Sequence, residues 1–228
     1  MRLNSALSVA MLLVLQLAAP AAFGEGFKFS EPSEDDLADQ AIDQARQERI
    51  YGQLSTPCRA QLKDKKIMVV IAEQRSGFID AQQQKYGPHF QAINSRLRAL
   101  GLRTYTQEQI RAQIAQAEID AYFRNDPDAA INASRKLGAN FILRGLIATE
   151  ATMNPMIPVN QVTVNMGFTL TDASGRVVSD TSASNASYAG SDVGRMALTL
   201  VNEKADEVVA QLYSDYCRNA GYGGAARK

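Results

Sequence analysis

Apolar and polar positions alternate along this chain in three rhythms. Residues 67–72 (IMVVIA) are a continuous apolar run after a lysine-rich lead-in. That pattern predicts a short strand buried on both faces. A polar loop is expected over 73–87. Pro88 then sits at a helix start, with Phe90, Ile93, Leu97 and Leu100 on one face and Gly101 as the terminating residue. Residues 102–105 form a brief strand. Thr106 to Gln109 read as a capping box, and Tyr105 and Ile110 as its hydrophobic staple. The stripe Ile110, Ile114 and Ala117 carries one helix to about Phe123. Asp126 caps the next helix with Pro127 at its first position, and Gly138 ends it.

The second half changes rhythm. Residues 141–150 are apolar and β-prone. Val162, Val164, Met166, Phe168 and Leu170 alternate with polar residues, so one face of that strand is buried. Residues 172–175 (DASG) form a hairpin turn, and the Ser/Thr-rich stretch 177–188 reads as an edge strand. Ser191 or Asp192 caps a long final helix with Val193, Met196, Ala197, Leu200, Val208, Leu212 and Tyr216 on its core face. The expected fold is α/β (α+β), a mixed parallel/antiparallel sheet in the order β-α-β-α-α-β-β-β-α with helices packed on it. A leading N-terminal helix precedes it, capped by Ser33 and carrying the thin stripe Leu37, Ala38, Ala41, Ile42 and Ala45. Strands followed by helices imply parallel crossovers, and three strands joined by short loops imply antiparallel pairing.

The start of the chain adds an address. Arg2, an apolar run over 6–17 and small residues over 18–24 have the layout of a cleavable secretory signal. The expected mature N-terminus is Glu25, and the expected location is the periplasm of a Gram-negative bacterium. No Cys stands near the cleavage region, so a lipoprotein is not expected. The expected organisation is a signal peptide over 1–24, a flexible start and acidic helix over 25–57, one domain over 58–217 and a flexible tail over 218–228. The acidic helix is thinly apolar and is read as a separable appendage.

Composition removes several functions. Without the signal, 23 basic and 24 acidic residues remain, a net charge of −1. That balance offers no electrostatic footprint for nucleic acid and no polybasic surface for anionic lipid. No later run is long enough to span a bilayer. Cys58 and Cys217 are the two cysteines. An even count in an exported chain favours a bridge between them; two free buried thiols are the alternative. His89 is the single histidine, so a zinc site is not expected. It reads as a surface or capping residue at a helix start. Arg75-Ser76-Gly77 lacks the phosphate-loop pattern, and Asp126 and Asp128 read as helix-start acids. No catalytic residue, metal ligand or cofactor is assigned.

Four segments carry a resemblance: KIMVVIAE, FQAINSRLRALGLRTYTQEQI, LGANFILRGLI and TLTDASGRVVSDTSA. Together they resemble the domain shared by the amino-terminal part of TolB, the curli secretion protein CsgG, lipoprotein activators of penicillin-binding proteins and a flagellar assembly protein. The likeness spans about residues 64–217. It implies a periplasmic module serving a secretion, flagellar or wall-synthesis machine. The chain departs from several relatives in having no lipid-accepting Cys, and its loops are too short for membrane-entering hairpins.

If strands 67–72 and 141–150 run parallel, their following loops emerge at one edge of the sheet, where open α/β sheets tend to bind. The first loop offers Ser76, Gly77, Phe78 and Ile79; the second offers Met153, Asn154, Pro155, Met156 and Ile157. An exposed patch of this kind implies a protein contact, with an envelope protein as partner. The other reading folds Met156 and Ile157 back onto the core. A small-ligand receptor or an enzyme with a pocket at the same edge is the alternative function.

Overall fold

The structure is a computed structural model that describes residues 33–75, 77–82, 87–124 and 126–221. The expected signal peptide, residues 25–32, Ser76 and most of the expected tail lie outside the described residues. The chain divides after Gln40 into two compact units. Of the first, the described part is the start of helix α1 (Glu34–Leu54). Ser33 Oγ accepts the Asp36 N–H at 3.1 Å, and the Asp36 carboxylate returns the contact to the Ser33 N–H at 3.0 Å. Hydrogen bonds from Ser33 hold the Asp36 carboxyl below its ordinary range.

The second unit contains the sheet. Its elements follow in chain order: α2 (Arg59–Leu62), β1 (Lys66–Arg75), β2 (Phe78–Asp80), α3 (Gly87–Ala99), β3 (Arg103–Thr104), α4 (Gln107–Gln113), α5 (Gln116–Phe123) and α6 (Pro127–Leu137). β4 (Phe141–Met153), β5 (Asn160–Asp172), β6 (Val177–Ala189) and α7 (Val193–Asn219) complete it. The strands lie in the order β2-β1-β4-β5-β6, with β3 also on β1. β1 pairs parallel with β4 and β3; β4, β5 and β6 form an antiparallel run. The mixed sheet is therefore the one expected.

Two cores form because β1 and β4 bury both faces. Ile67, Val69, Ile71, Leu143 and Ile147 pack on one side with Phe90, Ile93 and Leu97 of α3 and Leu200, Val208 and Leu212 of α7. Met68, Val70, Ala72 and Ile142 pack on the other with Ile110, Ile119 and Phe123. β5 buries only its alternate residues, Val162 to Leu170, against the α7 side. Its other face carries Thr163, Asn165, Gly167 and Thr169, because helices α4 to α6 cover only the β1–β4 half of the sheet.

Three local readings change. The helix expected over 106–123 breaks at Ile114 and Ala115, whose backbones are extended. Ile114 stays buried, and Glu118 Oε2 accepts the Ala115 N–H at 3.1 Å to start α5 afresh. The polar stretch 73–87 is not all loop, since 73–75 extend β1 and Phe78–Asp80 return as β2. β4 runs on to Met153 in a continuous ladder. The turn reading holds at 172–175: Gly175 has φ +91°, and Asp172 accepts the Ser174 and Arg176 N–H groups. Burial pushes the Asp172 carboxyl up, but hydrogen bonds from the Ser174 hydroxyl and the Arg176 guanidinium, joined by these N–H groups, outweigh it and hold it below its usual range.

The part of α1 within the second unit lies along α7. Ile50 is buried, Arg46 reaches the Glu203 carbonyl, and Gln53 bonds Gln211. Ile42 and Tyr51 stay exposed. One buried isoleucine is worth about 2–3 kcal/mol. Deleting residues 25–56 also removes Leu54, which packs on the core, and the Thr56 carbonyl that accepts the Tyr213 hydroxyl, so it is expected to lower the urea-unfolding free energy by about 3–5 kcal/mol and leave one cooperative transition. Failure of the shortened chain to fold would make the helix part of the domain.

Candidate interaction site at the strand ends

β1 and β4 are parallel neighbours, so their C-terminal ends point the same way. Their pairing ends at Gln74 opposite Ala148, yet β4 continues for five more residues to Met153. β1 itself ends one residue later at Arg75, so the β4–β5 hairpin overhangs it by roughly 13 Å at 3.3 Å per residue. β6 follows it to the end, with Ala189 opposite Asn160.

Asn154 builds the tip. Its Oδ1 accepts the N–H groups of Met156 at 2.9 Å and Ile157 at 3.2 Å, and its own N–H donates to the Val159 carbonyl at 2.9 Å. Such an Asx turn fixes the backbone without side-chain packing, and Pro155 and Pro158 stiffen it further. The apolar side chains are consequently left outside. Met156 is 91 % exposed, Met153 62 % and Ile157 58 %. Met156 and Ile157 do not fold back onto the core.

The β1–β2 hairpin lies at the same end. Gly77 turns with φ +83°, Phe78 is 82 % exposed and Ile79 is 45 % exposed. Phe78 and Ile79 belong to a strand and not to a loop. Ser76 is outside the described residues. Every described residue of the expected patch thus stands at one end of the sheet, at two levels set by the overhang. Sequence reading missed Tyr188, which is exposed on β6 opposite Gln161. It also missed a shallow open cleft of about 510 Å³ beside β2, lined by Ile79, Ala81, Gln116, Asp120, Phe123 and Arg124. Gln116 Nε2 bridges the Ala81 carbonyl at 3.2 Å and Asp120 Oδ1 at 2.8 Å.

Cys58 and Cys217 are bonded, with their Cα atoms 5.8 Å apart. His89 is half-buried in the first turn of α3. Asp126 is a cap, accepting the Asp128 and Ala129 N–H groups. Among the described residues no group of three His, Cys, Asp or Glu side chains could hold a metal. Among those residues no helix is long and apolar enough to cross a membrane.

No family model matches the chain, and no curated protein matches it. Several solved structures are similar. A PelC dodecamer from Paraburkholderia phytofirmans is 18 % identical over 65 % of this chain and 88 % of that one, with a TM-score of 0.39. The hypothetical protein CT253 from Chlamydia trachomatis is 12 % identical over 72 % and 99 %, with a TM-score of 0.41. The LpoB C-terminal domain from Salmonella enterica is 14 % identical over 61 % and 94 %, with a TM-score of 0.34. Likenesses this distant leave function and partners open.

Proposed function

We propose that this chain is a non-catalytic periplasmic module that binds another protein of a cell-envelope machine through the strand-end patch. The overhanging β4–β5 tip carries the reading: three large apolar side chains are held in water by a turn whose polar groups are satisfied internally. Nothing in the packing of the domain requires them there. Exposed Met and Ile on a rigid hairpin suit the adaptable apolar core of a protein contact. The buried Cys58–Cys217 bridge supports an oxidising compartment. The segment resemblance to the TolB and CsgG domain supports an envelope machine of the secretion, flagellar or wall-synthesis type.

A second reading rests on the cleft beside β2, where Arg124, Asp120 and Gln116 converge around Ile79 and Phe123. Its volume suits a small ligand, and its shape is open where such sites are normally enclosed.

One experiment separates the two. A photo-crosslinking residue at Met156 in the exported protein should give one discrete protein adduct in living cells. The triple change Met153→Ser, Met156→Ser and Ile157→Asn should reduce capture of that adducted protein by at least about tenfold, because exposed apolar anchors dominate such contacts. The melting temperature should stay within about 2 °C, since exposed substitutions cost little. A triple variant that melts far below the parent places these side chains in the core. Undiminished capture sinks the patch and leaves the cleft.

A further inference from the structure

β6 is the outer strand of the sheet, and among the described residues no strand pairs with its free side. The opposite edge is broken into β2 and β3, of 3 and 2 residues. β6 runs for 13 residues. Over 181–189 it holds only Thr, Ser, Ala, Asn and Tyr, with no charge and no Pro. Long edges are normally blunted by Lys, Pro or bulges, because unpaired N–H and C=O groups recruit other strands. Here the one charge is Asp180, and the one register irregularity falls at Val178, before the open stretch begins.

The backbone direction follows from the hairpin. The Asn154 N–H bonds to the Val159 carbonyl, and antiparallel pairs alternate from there. Odd-numbered residues of β5 bond to β4 and even-numbered ones to β6. Their β6 partners are Ser179, Thr181, Ala183, Asn185 and Ser187. The intervening Asp180, Ser182, Ser184, Ala186 and Tyr188 therefore direct their backbone groups away from the sheet. Two groups at this edge are already satisfied: Asn185 Oδ1 accepts the Ala186 N–H at 3.0 Å, and Asn219 Nδ2 donates to the Val178 carbonyl at 2.7 Å. Between them, residues 180–184 stay open. The helix-free face alongside is equally bare, a depression of about 490 Å³ lined in part by Ala148, Asn165, Gly167, Ser182 and Ser184. Small side chains there leave the approach to the edge clear.

We infer that β6 pairs with β6 of a second copy, antiparallel about a two-fold axis, so that two sheets join into one. The sequence of the strand is compatible with itself. In a register centred on Ser182, Asp180 meets Ser184 and Ser182 meets its own counterpart, so every pair falls within the open stretch. No like charges fall opposite each other, the arrangement that destabilises cross-strand pairs. The contact is isologous and consumes the only long free edge described, so it closes at a dimer.

Sedimentation of the exported protein tests this. At about 100 μM the parent should be a dimer that dissociates on dilution. Ser184→Pro removes an outward N–H and leaves the β5 ladder intact, since Pro is tolerated on an edge. It should raise the dimer Kd by about tenfold or more, with the parent's far-ultraviolet circular dichroism retained. Ser182→Lys places two like charges at the axis, so its dimer should weaken at low salt and recover partly at high salt. The strand-end triple variant should dimerise normally, which separates this contact from the partner patch. A monomeric parent at every concentration overturns the inference. So does a dimer indifferent to both Ser184→Pro and Ser182→Lys, or a monomer whose Ser182 and Ser184 amides resist hydrogen exchange because a segment of the same chain lies on the edge.

Discussion

Replacing both Cys58 and Cys217 by Ala is expected to lower stability by roughly 4–5 kcal/mol. The bridge joins positions 159 residues apart, so without it the unfolded chain regains nearly the full loop entropy of the domain. Both residues are fully buried, Cys58 just before α2 and Cys217 near the end of α7. The bond therefore ties the entrance of the sheet domain to its last helix. Tyr213 reinforces the same corner. Its hydroxyl donates to the Thr56 carbonyl and accepts the Cys58 N–H at 3.3 Å. For a domain of this size the loss corresponds to a melting temperature about 10–20 °C lower. Thermal melts of the exported double variant and the parent give the comparison. A drop of under about 1 kcal/mol would mean that the unfolded chain is held compact by other means. Single variants should fare no better than the double one, because each leaves a buried thiol without its partner.

The parts of this fold that the sequence exposes are those governed by neighbours in the chain. The caps at Ser33, Thr106 and Asp126, the turn at Gly175 and the alternation of β5 all depend on residues within four or five positions. The break at Ile114 was hidden because the stripe Ile110, Ile114 and Ala117 has helical spacing whether or not the backbone stays helical. What decides it is the tertiary burial of Ile114 and the new cap from Glu118. β2 was hidden because a strand of 3 residues has no periodicity to read. The apolar residues at the strand ends were legible as candidates, since Met153, Met156 and Ile157 match no element pattern. Their two levels were not, because the overhang of β4 beyond β1 is a matter of register between segments about 75 residues apart. The open edge of β6 needed the same long-range knowledge, although its Ser/Thr composition pointed to an edge.

Gly145 offers the second large expected effect, and its role is also invisible in sequence. It lies in β4, between Ile71 on β1 and Phe168 on β5. A Cβ there would stand 2.5 Å from Cε1 and 2.9 Å from Cδ1 of Phe168, and 3.1 Å from Cγ1 of Ile71. Phe168 is 1 % exposed and sits in the core beneath α7. The glycine is therefore the seat of the ring, which comes closer to the strand than a Cβ would allow. Strand interiors accept glycine where another group approaches the backbone this closely. Gly145→Val should cost about 3 kcal/mol or more, because the ring has no room to retreat and overpacking forces strain on its neighbours. Gly145→Ala should cost about 1–3 kcal/mol. Chemical denaturation of both variants supplies the midpoints. The decisive comparison is a double-mutant cycle with Phe168→Leu. That change alone opens space and destabilises, but with Gly145→Ala it should recover about 1 kcal/mol or more relative to additivity. Additive losses would mean that the ring turns aside freely and that the glycine serves the strand for some reason other than this contact.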